Sequence, residues 1–323
     1  MNNHFLNGQY TESALKDYIS TFDEFEIKRN HYWGKSADGE FNYWLFDELG
    51  DLLSSIMFDV TTKKTIQFHD HYEKEKGFLI SFILDSTVSF NNTSIGNGFS
   101  EGAVLFNSDK VISLDLDKGR NFKGITCHLS HELMRKTGRE NFERLKDLIE
   151  NQNQFVLFES MSYEMEQCLR ELFALQTEKV GRYGFTAAKV LELIAHFFVQ
   201  LYTHRTGQQK FDLTEEETVK IFNIKSKIVE DLMHPPTIEA LSIDYGVSIP
   251  KLRKDFKNVF GLSPHQYIIR ERLYEARRKV IQTKESMTEI ADLLGFTDSS
   301  HFTKLYKKEF GLTPLNDRKE HHG

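Results

Sequence analysis

Hydrophobic positions in the first part of the chain form short runs that are separated by turn residues. Four runs rich in β-branched and aromatic residues lie at residues 42–46, 55–60, 65–68 and 77–84. Turn-forming residues such as Gly96-Asn97-Gly98 separate the apolar runs in the segment that continues to Leu129. Because many short strands with regular turn signals are typical of all-β folds, this pattern predicts an antiparallel barrel or jelly roll.

From Ser160 onward the hydrophobic positions recur at helical spacing instead. One apolar stripe runs to Phe173, and a second runs from Ala187 to Leu201 after a Gly-containing break. Leu193 and Tyr202 widen the second stripe beyond what one packing partner covers. Two interpretations remain open, in which the helices either cover the sheet or also pair two subunits.

A polar, Gly-containing segment follows, and the last hundred residues then contain an internal repeat. Residues 248–264 align with residues 298–314. The matching positions are Lys254, Lys257, Phe260, Gly261, Leu262 and Pro264 in the first copy, and Lys304, Lys307, Phe310, Gly311, Leu312 and Pro314 in the second. Two copies of one supersecondary unit therefore follow each other.

Each copy has the layout of a helix-turn-helix. A short helix, Ile238–Tyr245 or Met287–Leu294, is predicted to end at a Gly, whose left-handed conformation allows a sharp turn. The second helix begins at Ser248 in the first copy, and at Thr297 or Asp298 in the second, all good N-caps. The predicted buried stripes are Leu252, Phe256 and Val259, and Phe302, Tyr306 and Phe310. The opposite faces are basic, as a helix in a DNA major groove requires.

The segment between the copies, residues 267–283, predicts a long connecting helix with many Arg residues. A rigid helix would set the separation of the two recognition helices. Both could then enter successive major grooves on one face of DNA, roughly 34 Å apart.

The composition and length fit a soluble chain with more than one folding unit. At about 150 residues per domain, 323 residues suggest two units. Hydrophobic residues make up 39% and charged residues 28%, which argues against disorder. No apolar run reaches the roughly 18 residues of a membrane span, and the N-terminal residues lack the apolar core of a secretory signal. We therefore expect a cytoplasmic protein without membrane contact.

Charge is distributed unevenly along the chain. The whole sequence has 41 basic and 48 acidic residues, but from Val219 to the end there are 18 basic and 14 acidic residues. A basic end on an acidic body is expected when only one part meets a polyanion. No phosphate-binding Gly loop, nucleophile elbow or Cys–His pairing is visible, so neither an enzyme nor a cofactor is predicted.

The C-terminal segment resembles the DNA-binding domain of the AraC/XylS family of bacterial transcription regulators. The resemblance rests on Arg272-Leu273-x-x-Ala276-Arg277, on Ile290-Ala291-x-x-x-Gly295-Phe296 and on a third motif beginning at His301-Phe302-Thr303-Lys304 and ending at Pro314. It covers residues 219–319, nearly a third of the chain. One position departs from the family, because Asp317 precedes Arg318 where the family usually has a Tyr.

This resemblance implies a set of DNA contacts. Base contacts are expected at Pro250, Arg253 and Lys254 in the first unit, and at Ser299, Ser300, His301 and Lys304 in the second. Lys257, Lys307 and Lys308 would lie near phosphates. Pro250 has no backbone N–H, so its contact would be apolar.

The resemblance also implies an organisation for the whole chain. It predicts a cupin-like effector-binding domain at residues 1–155, a helical dimerisation region at 156–205, a linker at 206–218 and the double helix-turn-helix at 219–319. The expected partners are double-stranded promoter DNA, a small-molecule effector, a second copy of the chain and RNA polymerase. The expected role is that of a nucleoid-associated regulator, with an activator preferred. The sequence does not identify the effector or the operator.

One motif in the N-terminal part supports a different class of function. His69, His71 and Glu75 form His-x-His-x-x-x-Glu, the beginning of the metal motif of catalytic cupins. On a strand the two His side chains would face the same side. The flanking glycines and a second His motif are missing, so no metal is predicted, and the three residues are assigned to the surface or the mouth of an effector pocket. The alternative is a dioxygenase-like cupin metalloenzyme fused to a DNA-binding tail.

Overall fold

The computed structural model describes residues 2–6, 11–47, 49–71, 77–85, 88–90, 97–99, 102–107, 111–116, 118–119, 121–134, 156–176, 181–204 and 215–322. The chain divides into two compact units, Met1–Asn223 and Ile224–Gly323. The first unit is mainly β and the second is helical, so the α+β class is confirmed.

The strands of the first unit range from three to ten residues in length. They are β1 (Asn2–Leu6), β2 (Glu24–Lys28), β3 (His31–Lys35), β4 (Gly39–Phe46), β5 (Leu53–Thr62), β6 (Ile66–His71), β7 (Gly77–Asp85), β8 (Val88–Phe90), β9 (Asn97–Phe99), β10 (Gly102–Asn107), β11 (Val111–Leu116), β12 (Asn121–Ser130) and β13 (Val156–Glu159). The helices of this unit are α1 (Glu12–Ile19), α2 (Tyr163–Ala174) and α3 (Arg182–His204). The short 3₁₀ helix at Gly50–Leu52 leads into β5.

The strands form two sheets rather than one closed barrel. The larger sheet has eight strands in the order β13-β10-β7-β12-β5-β4-β3-β2, and every neighbouring pair in it is antiparallel. The smaller sheet has the order β1-β6-β11-β8-β9, in which β1 and β6 are parallel. Among the described residues no pairing joins β2 to β13. The predicted antiparallel sheet is therefore confirmed, whereas closure into a barrel is not, and the β1–β6 pair is an exception to the antiparallel pattern.

Helices α2 and α3 pack on the larger sheet. Their apolar stripes join the side chains of the central strands in one core, where the rings of Phe82 and Phe197 lie 6.0 Å apart. Leu193 is fully buried in this core, and Tyr202 packs against it. Glu166 of α2 is also buried, and its carboxylate accepts hydrogen bonds from Arg170.

By length and composition alone, α3 could cross a membrane. The core helices of soluble proteins meet the same criteria, and Val190, Ile194 and Leu201 of α3 are buried in the core of this unit. These contacts favour a packed core helix.

Strand β6 carries two of the three candidate metal ligands. In the strand register His69 is opposite Ser113 and His71 is opposite Val111. The side chains of both His residues, and Glu75 altogether, lie outside the described residues. The alternative metalloenzyme hypothesis is therefore not tested.

The second unit is built from helices. They are α4 (Glu215–Val229), which spans the division between the units, then α5 (Ile238–Tyr245), α6 (Ile249–Phe260), α7 (Pro264–Gln282), α8 (Met287–Leu293), α9 (Ser299–Phe310) and α10 (Pro314–His322). Residues 206–214 of the predicted linker lie outside the described residues, and its last four positions belong to α4.

Candidate nucleic-acid interface

The first helix-turn-helix consists of α5 and α6. Thr237 caps α5 by accepting a hydrogen bond from the Ala240 N–H at 3.1 Å. Helix α5 ends at Gly246, whose φ of +63° gives the left-handed conformation that glycine adopts without strain. Pro250 lies in the first turn of α6, where the missing N–H costs nothing. The chain therefore makes the predicted sharp turn between two short helices.

The second helix-turn-helix consists of α8 and α9. Ser286 and Glu289 form a capping box at the start of α8, in which each side chain accepts from the other residue's backbone N–H. Gly295 has a φ of +70° at the turn. Asp298 caps α9 by accepting from the His301 N–H at 2.7 Å. Of the two predicted caps, the structure therefore selects Asp298 over Thr297.

Each second helix buries one face and exposes the other. Leu252, Phe256 and Val259 of α6 are buried, as are Phe302 and Tyr306 of α9. The predicted stripes are thus confirmed, except that Phe310 is only half-buried. We call α6 and α9 the recognition helices.

The exposed faces of the recognition helices carry a set of cations. They are Arg253, Lys254 and Lys257 on α6, and Lys304, Lys307 and Lys308 on α9. Within the described part of the chain, none of these six side chains forms a hydrogen bond or an ion pair. Pro250, Ser300 and His301 are also exposed, whereas Ser299 is half-buried. The cations at the predicted contact positions are therefore free to meet a polyanion.

The connecting helix α7 uses its cations differently. Arg277 bonds to Asp317 at 2.9 Å, Arg278 bonds to Glu275 at 3.2 Å, and Lys279 pairs with Glu285 at 3.6 Å. These charges are neutralised within the domain, unlike the six cations of α6 and α9. The sequence does not distinguish the paired cations of α7 from the unpaired cations of α6 and α9, because both groups have the same spacing on amphipathic helices.

Arg272 of α7 holds the turn of the second helix-turn-helix in place. Its guanidinium donates to the carbonyl oxygens of Gly295 at 2.6 Å, Leu232 at 2.7 Å and Met233 at 3.2 Å. Burial lowers the pKa of this guanidinium, which still carries its charge at neutral pH. Arg272 therefore joins α8 and α9 to the segment that precedes α5.

Asp317 of α10 lies at the centre of a buried polar network. It is fully buried and accepts hydrogen bonds from the Tyr306 hydroxyl at 2.6 Å and from Arg277 Nε at 2.9 Å. Burial, and then the bond to Asp317, raise the pKa of Tyr306, so its hydroxyl stays protonated and donates. The position that departs from the family pattern thus connects α7, α9 and α10.

The comparisons with known proteins agree on the C-terminal unit. Residues 241–320 match a family profile described as a helix-turn-helix domain. The transcriptional activator RhaS of Escherichia coli O6:H1 is 24% identical over 163 residues, which is 50% of this chain and 58% of that protein. RhaS of Yersinia pestis is 37% identical over 76 residues, which is 24% of this chain and 28% of that protein. The matches thus span about half or less of these relatives.

Two solved structures are also similar. An AraC-type regulator from Chromobacterium violaceum is 28% identical and covers 32% of this chain and 91% of that chain, with a TM-score of 0.30. ToxT from Vibrio cholerae is 14% identical and covers 84% of this chain and 100% of that chain, with a TM-score of 0.33. At these TM-scores the superpositions support no conclusion about the N-terminal unit.

The two units of α5–α6 and α8–α9, joined by α7, define a double helix-turn-helix protein. The profile match and the similarity to RhaS then identify the C-terminal unit as a DNA-binding domain of the AraC/XylS family, as the sequence motifs predict. Both RhaS relatives are named transcriptional activators.

Proposed function

We propose that this chain is a sequence-specific DNA-binding transcription regulator that works as an activator. The observation that carries the proposal is the pair of recognition helices, each of which exposes three unpaired cations. Lys254 and Lys257 recur at Lys304 and Lys307 in the second copy, and such a repetition is not expected of charges that only solvate a helix face. The names of the relatives support the choice of activator over repressor.

In the proposed complex each recognition helix enters a major groove. Arg253 and Lys254 of α6, and His301 and Lys304 of α9, face base edges near the helix N-termini. Lys257, Lys307 and Lys308 then lie near phosphates. The 19 residues of α7 span about 28 Å, which suits neighbouring grooves roughly 34 Å apart. Any remaining mismatch would be taken up by bending the duplex.

Two single substitutions should separate base contacts from phosphate contacts. Arg253→Ala is expected to cost about 1–3 kcal/mol of binding at one base pair and to relax preference there, because a bidentate base contact is lost. Lys307→Ala should weaken all duplexes alike and reduce the salt slope by about 1. Fluorescence anisotropy on a selected duplex and its single-base variants, at several salt concentrations, measures both effects.

Lys251 provides the matched control on the same helix. It is exposed but already pairs with Asp255 at 2.8 Å, so Lys251→Ala should change base preference little. If Arg253→Ala left both affinity and base preference unchanged, α6 would not be a reading helix.

We further propose that the N-terminal unit binds a small effector within a cupin-like arrangement of its sheets. A cleft of about 270 Å³ supports a ligand-binding role for this unit, and it is lined by Glu12, Asn30, Tyr32, Asp47 and Tyr183 among others. Burial raises the pKa of Tyr32 to about 12, so its hydroxyl remains a donor at neutral pH. Native mass spectrometry of the purified chain, before and after denaturation, would identify a retained ligand.

Helix α3 supports the proposal of a dimer. Phe185 and Val199 are 60% and 65% exposed, and Ala188 and Ala195, which lie between them, are also exposed. From Phe185 to Val199, the intervals between these four residues are three, seven and four positions. This is a heptad-like seam on which a second copy could pack. Glu192 lies in the middle of the seam and is also exposed.

Val199→Glu is expected to raise the dimer dissociation constant at least about tenfold, because it removes an apolar contact of the seam and adds a second carboxylate to the one that Glu192 already places there. Sedimentation velocity over a concentration series measures the shift. Leu315→Glu is the matched control, since Leu315 is 53% exposed in the C-terminal unit. Equal behaviour of the two variants would exclude α3 as the dimer surface.

The remaining parts of the proposal concern cellular context. A DNA-binding regulator of this type acts in the cytoplasm at the nucleoid and contacts RNA polymerase at its promoter. The basic faces of α6 and α9 support the location at the nucleoid, where DNA is bound. The relatives' names as transcriptional activators support the contact with RNA polymerase.

A further inference from the structure

Helices α2 and α3 bring together three side chains that are typical metal ligands. The Cys168 sulfur, a Glu192 carboxylate oxygen and a His196 ring nitrogen all lie within 4.8 Å of one another. Glu192 and His196 are one turn apart on α3, with Nε2 and Oε1 separated by 3.8 Å. Cys168 projects from α2 and is buried, whereas Glu192 is exposed and His196 is half-buried.

A fourth ligand is within reach of this group. Glu171 is one turn after Cys168 on α2, and its carboxylate shares the Lys189 ammonium with Glu192, at 2.6 Å and 2.8 Å. Two helices thus contribute Cys-x-x-Glu and Glu-x-x-x-His to one place. The Lys189 ammonium therefore lies between the Glu171 and Glu192 carboxylates, where a bound metal cation would bridge them.

The chemistry of these ligands selects one class of cation. A thiolate, an imidazole and carboxylates suit zinc and similar divalent transition metals, whereas calcium and magnesium prefer oxygen alone. Ligand atoms around a tetrahedral zinc lie about 3.3–3.6 Å apart, given metal–ligand bonds of about 2.0–2.3 Å. Rotation of the Glu192 and His196 side chains, which are 46% and 35% exposed, would bring the present group closer by about an ångström.

We propose that Cys168, Glu192 and His196 bind a divalent cation of the zinc class between α2 and α3, with Glu171 completing the site when Lys189 moves away. Such a cation cross-links the two helices that pack on the larger sheet. It lies in the N-terminal unit and is independent of DNA recognition by α6 and α9.

Titration of the full chain with Co²⁺ tests the proposal, because cobalt bound to a thiolate gives a charge-transfer band in the near ultraviolet. We expect one equivalent to bind with this band and Zn²⁺ to displace it. Cys168→Ser should abolish the band, and His196→Gln should weaken Co²⁺ binding roughly 10- to 100-fold. Lys189→Met should tighten binding about tenfold, since a competing positive charge is removed.

Cys127→Ala is the matched control, because Cys127 is the other cysteine and lies in β12 outside this group. It should leave the band unchanged. His196→Gln keeps the test valid if Cys168→Ser fails to fold, because His196 is only half-buried. The proposal is overturned if no stoichiometric band forms, if the band survives in Cys168→Ser, or if Lys189→Met and His196→Gln both bind Co²⁺ like the unmodified chain.

Discussion

Replacing Lys257, Lys307 and Lys308 together by alanine is expected to weaken DNA binding by roughly 10²–10³-fold near 0.1 M salt. Each lysine that neutralises a phosphate releases a condensed counterion, so three losses should lower the slope of log affinity against log salt by about 2.7. The three side chains are exposed and form no ion pair among the described residues, so their removal should leave the fold unchanged. Affinity titrations at four or more salt concentrations measure both quantities.

A charge-matched variant separates local contact from net charge. Lys16, Lys63 and Lys118 are exposed in the N-terminal unit, and their joint replacement by alanine removes the same charge. That variant should change affinity by less than a few-fold, because screening limits charge effects beyond about 10 Å. Equal losses in the two variants would mean that binding follows total charge and not the recognition helices.

The second large effect concerns stability. Asp317→Ala is expected to destabilise the C-terminal unit by about 3–5 kcal/mol, because it removes the carboxylate that accepts hydrogen bonds from Arg277 and from the buried Tyr306 hydroxyl. The side chain of Arg277 is only 14% exposed, and Tyr306 is fully buried, so water cannot replace the lost carboxylate readily. Hydrogen exchange of the amides in α9 and α10 under increasing denaturant reports the stability of this unit separately.

Two further variants define the network behind this effect. Asp292→Ala removes an exposed carboxylate from α8 and should change stability by less than about 0.5 kcal/mol. Tyr306→Phe combined with Asp317→Ala should show a coupling energy of about 1 kcal/mol or more, since the two groups share a hydrogen bond. Additive effects would show that the Tyr306–Asp317 bond contributes nothing to stability.

The double helix-turn-helix could be predicted from the sequence because its determinants are local. The helix Ile238–Tyr245 was predicted with its observed bounds, and Gly246 and Gly295 have the expected left-handed conformation. The buried stripes follow from spacing along one helix. The bonds of Arg272 to Gly295 and of Arg277 to Asp317 span 23 and 40 positions, so no local pattern reveals them. The only available signal was Asp317 itself, at a position where related sequences usually carry Tyr.

The N-terminal unit was predicted less completely because sheet pairing depends on distant segments. Individual strands such as β5 and β7 lie where the apolar runs predict them. The parallel β1–β6 pair joins residues 64 positions apart, and β5 pairs with β12 across 60 to 76 positions. The alternation of apolar and polar residues along a strand does not encode such distant pairings. The group of Cys168, Glu192 and His196 had a partial signal in the i, i+4 spacing on α3, but its cysteine comes from another helix.

Footprinting on a duplex selected from random sequences tests the central claim most directly. We expect each bound chain to protect two major-groove segments on one face, with centres about 34 Å apart. Substitution of Arg253 and Lys254 should remove protection of one segment, and substitution of His301 and Lys304 should remove protection of the other. A single protected segment, or loss of the same segment in both variants, would contradict recognition by two helices.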